Sequence, residues 1–96
     1  MYRLHWSGRA YADMQRLHGL LATKNRAAAT RPVQAVRQGL KSIALQPGIG
    51  RPIEELDLQF RERPVSFGDS GYIVRYRLDG DIVIILAVRH QRELGF

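Results

Sequence analysis

Ninety-six residues without a cysteine leave room for one domain around a single modest core, and exclude a disulfide framework, thiol chemistry and a cysteine-based metal site. The three histidines, at positions 5, 18 and 90, have no ligand spacing, so neither a metal nor a cofactor is expected. The net charge of +6 is lopsided: residues 1–47 carry eight Lys and Arg against Asp13 alone, a net +7, whereas residues 48–96 carry seven Arg against eight carboxylates, a net −1. A basic half of this kind predicts an acidic partner, either a nucleic acid or an acidic polypeptide. Its plainer reading is a solvated helix surface. No window approaches the roughly 20 apolar residues of a membrane span and the N-terminus lacks an apolar h-region, so a soluble, unexported, cytoplasmic protein with no membrane partner is expected.

The chain opens with Tyr2-Arg3-Leu4-His5-Trp6, whose alternation predicts a short strand with Tyr2, Leu4 and Trp6 on one face. Ser7 is placed to cap a following helix by accepting from its free N–H groups. Ala10, Met14, Leu17 and Leu21 then recur at helical spacing, giving an amphipathic helix to about Lys24. Asn25 punctuates the chain. Ala29, Val33, Val36, Leu40 and Ile43 form a second apolar stripe, so a helical hairpin is expected. Pro32 is an anomaly there, because a helix-interior proline removes a donor and clashes with the preceding turn at about 3 kcal/mol. Either Asn25 caps a helix kinked near residue 28, or Thr30 caps one that starts later. Pro47-Gly48 ends the helix in both cases.

Pro47-Gly48-Ile49-Gly50-Arg51-Pro52 reads as a shaped, irregular connection, without the lysine or context of a phosphate loop. Glu54, Glu55 and Asp57 follow on a turn or loop. Phe60 to Phe67 resumes extended character, with Pro64 marking an edge strand or a strand start. Gly68-Asp69-Ser70-Gly71 then turns the chain into a hairpin over Tyr72 to Glu93. Its turn is Asp79-Gly80, which as a two-residue loop sets Leu78 opposite Asp81, Tyr76 opposite Val83 and Val74 opposite Ile85. Alternation assigns Tyr72, Val74, Tyr76, Val83, Ile85 and Ala87 to one face. Ile73, Arg75, Arg77, Ile82, Ile84, Leu86, Val88 and His90 take the other. The helices are expected to cover the Tyr72 face and a partner the Arg75 face. The fold class is α+β, in the order β-α-α-β-β-β, a helical hairpin packed on a small, mainly antiparallel sheet.

That order, the Leu45 to Pro52 connection LQPGIGRP, the hairpin YIVRYRLDGD and the terminal VRHQRE together resemble the RelE/ParE superfamily of bacterial toxins, and the ParE branch most. The resemblance implies a toxin held inactive by a cognate antitoxin whose acidic C-terminal segment wraps it in a hetero-oligomer. It implies inhibition of DNA gyrase by binding, or, on the RelE alternative, cleavage of mRNA on the ribosome. A third reading keeps the fold without toxicity, an orphan member that only binds its antitoxin. From charge, Arg16, Lys24, Arg37 and Lys41 are the candidate antitoxin-binding residues. The target-binding candidates are Arg75, Arg77, Arg89, His90 and Arg92, and Leu94 and Phe96 in the terminal segment are either partner anchors or frayed ends.

A nuclease needs a base or acid and several cations converging on the scissile phosphate. On the expected register Arg75 pairs with Ile84, about 20 Å from His90 at ~3.3 Å per residue. Arg77 lies farther still. With Phe67 beside Tyr72, Arg61 and Arg63 also lie toward the far end. Arg89, close in sequence, has the opposite face parity unless a bulge turns it. If the chain is a nuclease, His90 and Arg89 are the catalytic candidates. The plainer reading makes His90 structural, bonded to a nearby turn.

Overall fold

The computed structural model of the chain describes residues 1–22, 26–68 and 70–93, the side chains of residues 20–30 excepted. The elements are β1 (Arg3–Trp6), α1 (Gly8–Ala22), α2 (Arg26–Leu45), a 3₁₀ turn (Pro47–Ile49), β2 (Arg51–Pro52), β3 (Phe60–Phe67), β4 (Ser70–Asp79) and β5 (Ile82–His90). One five-stranded sheet has the order β1-β5-β4-β3-β2, with β1 parallel to β5 and the other pairs antiparallel. The expected α+β class and element order hold. The connection after α2 departs from expectation: it contains the 3₁₀ turn and a two-residue edge strand, and is not wholly irregular.

Ser7 caps α1 as its position predicts, its Oγ accepting the Ala10 N–H at 3.0 Å. Ala10 and Leu17 from α1 and Val36, Leu40 and Ile43 from α2 are buried against Val65, Tyr72, Val74, Tyr76, Val83, Ile85 and Val88 of the sheet, with Leu4, Trp6 and Met14 half-buried at the margin. One sheet face is therefore covered by helices. Gly39 of α2 allows a close approach there, because a Cβ at this position would fall 2.5 Å from Val65 Cγ2. Pro32 lies inside α2, which runs from Arg26, so no later helix start accommodates it. Lys24, Asn25, Asp69, Leu94 and Phe96 lie outside the described residues, as do the side chains of Leu21, Ala29 and Thr30.

Tyr76 shapes the connection after α2. Its ring is fully buried, its hydroxyl donates to the Pro47 carbonyl at 2.5 Å, and it accepts the Gly50 N–H at 2.9 Å. Gly50 is required by this closeness, since a Cβ there would overlap the Tyr76 hydroxyl. The Arg61 guanidinium donates to the Gly50 carbonyl at 2.7 Å and pins the loop from β3.

The hairpin differs from expectation in two ways. Gly80 takes a positive φ of 60° as the first loop residue, and the loop is Gly80-Asp81, so Asp79 pairs Ile82, Leu78 pairs Val83 and Tyr76 pairs Ile85. This displaces β5 by two residues and preserves the faces near the turn. A register shift then falls between Tyr76 and Arg75, so that Arg75 pairs Ala87, Val74 pairs Val88 and Tyr72 pairs His90, with Leu86 the extra residue. A bulge of this kind inverts every later residue of the strand. Val88 and His90 therefore join the Tyr72 face, while Ala87 and Arg89 join Arg75. Likewise Phe67 pairs Ser70, and it is Val65 that pairs Tyr72.

Candidate functional site

The bulge and the chain end beyond it form one polar construction. The Leu86 carbonyl and the Val88 N–H find partners at the head of α1 and within it: the cap residue Ser7 donates through Oγ to the Leu86 carbonyl at 3.1 Å, and Asp13 Oδ2 accepts the Val88 N–H at 2.9 Å. Asp13 also pairs with Arg9 at 3.8 Å and Arg16 at 3.5 Å. Arg16 reaches onward to the Glu93 carboxylate, tying α1 to the C-terminal turn. In that turn the His90 N–H donates to Glu93 Oε1 at 2.8 Å and the Glu93 N–H donates to the His90 carbonyl at 3.0 Å. The Arg89 guanidinium donates to the Glu93 carbonyl at 2.8 Å, with longer bonds to the Gln91 and His90 carbonyls at 3.2 Å and 3.3 Å.

His90 has both ring nitrogens engaged. The Arg92 N–H donates to Nδ1 at 3.1 Å, which assigns the proton of the neutral ring to Nε2, and Nε2 lies 2.9 Å from Ser70 Oγ. The ring stands edge-on to Tyr72, centroids 5.2 Å apart. Burial, followed by the nearby Glu93 charge, pushes the Tyr72 hydroxyl pKa up. The geometry matches the structural reading of His90, on the helix-facing side of the sheet.

The opposite sheet face carries no helix among the described residues. Across it runs a charged row in which Glu62 accepts from Arg51 at 2.9 Å and from Arg75 Nε at 3.2 Å. Arg77, half-buried, pairs Ile84 on one side and Phe60 on the other, and His5 pairs Ile84 from β1. Arg75 pairs Ala87, three residues from His90, so their separation along the strand is about 10 Å, half the sequence expectation. Arg89, which pairs Ile73, shares the Arg75 face, brought there by the bulge, though its guanidinium is committed to the C-terminal turn.

The helical side has its own feature. Trp6, Tyr11, Met14 and Val33 line an apolar groove of about 540 Å³ rimmed by Gln15, His18 and Arg37. Tyr11 is 61% exposed there. Arg37 and Lys41 are exposed on α2, whereas Arg16 is engaged by Asp13 and Glu93. Arg92 is exposed. Sequence reasoning missed Asp13, Glu62 and Ser70 as organisers of these surfaces. Asp13 alone carried a signal, as the single carboxylate in the basic half. Among the described residues no cluster of His, Cys, Asp and Glu has metal-site geometry, and no helix is long and apolar enough to cross a membrane.

Comparison with known proteins agrees with this architecture. Toxin RelE3 of Caulobacter vibrioides is 32% identical over 85 residues, covering 88% of this chain and 89% of its own. Toxin RelE1 of the same organism is 33% identical over 87 residues, covering 91% and 90%. A structure of the chromosomal ParDE toxin-antitoxin system from P. aeruginosa superposes with a TM-score of 0.72 at 22% identity, over 94% of this chain and 96% of that one. The toxin-antitoxin complex RelBE2 from Mycobacterium tuberculosis gives 0.60 at 22% identity, over 94% and 98%. Residues 4–95 match the family described as the ParE toxin of the type II toxin-antitoxin system parDE. With the fold, the hairpin and the terminal VRHQRE all inside that match, the chain belongs to the ParE toxin family, within the RelE/ParE superfamily of type II toxins.

Proposed function

We propose that this toxin acts by binding DNA gyrase and is neutralised by a cognate antitoxin. The observation that carries the binding reading is the engagement of His90: its Nε2 meets Ser70 of β4 while its Nδ1 and backbone N–H are used by Arg92 and Glu93 in the C-terminal turn, so the residue a nuclease would draw on as acid or base serves the fold. The open face, with Arg75 and Arg77 among apolar positions, suits a protein surface or an anionic target. Neutralisation rests on the kinship of the structure with two toxin-antitoxin assemblies and on the basic helical half, where the groove beside Arg37 suits an acidic, amphipathic antitoxin segment. The test is supercoiling of relaxed plasmid by purified gyrase with the toxin titrated in and plasmid cleavage scored on the same gel. Loss of supercoiling, with trapped breaks, supports the reading; unimpaired supercoiling by folded protein that kills cells refutes it.

One finding favours a second reading. Both curated relatives carry RelE names, which points to ribosome-dependent mRNA cleavage. Translating ribosomes programmed with a defined mRNA distinguish the two: cleavage at the A-site codon assigns the RelE chemistry, and an intact message leaves the gyrase reading.

A further inference from the structure

A second cleft lies away from the groove and the open face, between α2 and the outer edge of β3, with a volume of about 430 Å³. Arg63, Pro64 and Ser66 line it from the strand and Gln38, Gly39 and Ser42 from the helix, without a carboxylate. Arg63 is the notable member. It pairs Val74 on the helix-facing side of the sheet, is half-buried, and its Nε is buried with no hydrogen-bond partner. Two other arginines share an orphaned Nε, Arg61 and Arg89, but each spends its outer nitrogens on backbone carbonyls. Among the described residues Arg63 has no hydrogen bond or ion pair. Buried donors in folded proteins are almost always satisfied by protein, water or ligand, so the unpartnered Nε leaves this arginine open to an acceptor from outside the chain.

The strand edge adds a second donor. The Phe60 carbonyl accepts from Ile53, so Phe60 points its backbone groups away from β4, and by alternation Glu62, Pro64 and Ser66 do the same. β2 pairs only with Arg61 and Glu62. The Ser66 N–H is therefore left on an open edge, and Pro64 contributes no N–H. The exposed Gln38 amide stands across the cleft on α2, while the Ser42 hydroxyl donates within the helix to the Gly39 carbonyl at 2.6 Å. A half-buried cation, an edge N–H and a side-chain amide line one cleft with no acid among them, a donor set that suits an oxyanion.

We propose that this cleft is an oxyanion site that takes a phosphate group, as inorganic phosphate or as the terminal phosphate of a small phosphorylated molecule, with Arg63 as its charged anchor. The cleft is separate from the open face that carries Arg75 and Arg77, because it sits on the helix-facing side of the sheet.

The test is an NMR titration of the full chain at constant ionic strength, following the Ser66 amide and the Arg63 Nε–H. Inorganic phosphate is expected to shift both signals saturably, with a dissociation constant on the order of a few millimolar, as befits a ligand of five heavy atoms. Adenosine monophosphate at equal concentration separates the sources: tenfold tighter binding identifies a phosphorylated small molecule, and equal binding identifies phosphate itself. Arg63→Gln, with the rest of the spectrum unchanged, should weaken binding at least tenfold. If that variant does not fold, Gln38→Ala should weaken it severalfold. Linear shifts without saturation, an equal response to glutarate, a response only to an oligonucleotide, or shifts confined to other residues would overturn the proposal.

Discussion

Tyr76 and Gly50 make a pair whose coupling can be worked out from the geometry. Removing the hydroxyl in Tyr76→Phe strands the Gly50 N–H and the Pro47 carbonyl in a buried site, and with each unsatisfied group costing at the lower end about 1–1.5 kcal/mol the variant should lose about 2–3 kcal/mol. For a domain of this size that lowers Tm by roughly 8–20 °C. Gly50 has an ordinary extended backbone, φ −72° and ψ 154°, so Gly50→Ala suffers no backbone strain. Its cost is steric, about 1–3 kcal/mol of overpacking against the Tyr76 hydroxyl and against Cε1 and Cζ, both 2.8 Å from the new Cβ. The double variant should be less destabilised than the sum, by about 1 kcal/mol, because the hydroxyl is the atom the methyl meets first while the ring carbons remain. Urea denaturation followed by circular dichroism reads all four corners of the cycle. Additivity within about 0.3 kcal/mol would show that the loop relaxes away from the tyrosine, and the account of Gly50 would fail.

Asp13→Ala removes the acceptor of the Val88 N–H and should cost about 1–2 kcal/mol, with Val88 amide exchange accelerated relative to Val74; unchanged exchange would mean that water replaces the carboxylate. His90→Ala should lower stability by about 1–2 kcal/mol through its bonds to Ser70 and Arg92 and its contact with Tyr72, yet leave inhibition of the target intact, and lost toxicity in a folded variant would restore the catalytic reading. Arg37→Glu with Lys41→Glu should weaken antitoxin binding at least tenfold at low salt and less at 0.5 M salt, where the Debye length falls to a few ångströms; equal affinity at low salt would remove the helical face from the interface. Stability should also fall at alkaline pH. Desolvation is the main cause raising the Tyr76 pKa, so the unfolded chain ionises this tyrosine first, near pH 10, and stability holds below that pH and declines above it. Tyr76→Phe should flatten the decline, which urea midpoints between pH 8 and 11 would reveal.

Much of this fold is written in local chemistry that any reader of the chain can use. The cap at Ser7, the helical stripes through Leu17 and Leu40, the strand alternation around Tyr76 and the edge character of Pro64 each follow from one residue and its neighbours. The bulge at Leu86 does not. A run of apolar residues from Ile82 to Val88 reads equally well in either parity, and the partners that meet the bulged stretch are Ser7, which caps α1, and Asp13 within it, more than seventy residues away. That one event moved His90 to the helix side and Arg89 to the Arg75 side, so the error in the site came from tertiary contacts and not from misjudged propensity. The turn was misplaced for a smaller reason. Asp79-Gly80 and Gly80-Asp81 are both acceptable two-residue loops, and the second forms because Gly80 takes a positive φ while Asp79 does not and pairs Ile82. Tyr76 was legible as a core position but not as the anchor of the Pro47–Gly50 turn, because its hydroxyl partners are backbone groups that carry no side-chain signature.

The parallel pairing of β1 with β5 also sets a clock. The first strand made has no neighbour until residues 82–85 exist, and Ser7 cannot reach Leu86 across a separation of 79 residues before then. At bacterial elongation speeds of ~5–20 residues per second, those partners are made about 4–17 s after the N-terminus. Until that moment the nascent chain holds an exposed Trp6 and an unpaired strand. A chain cut before Ile82 therefore leaves β1 without its sheet neighbour, and the fold is closed only from the side of β5.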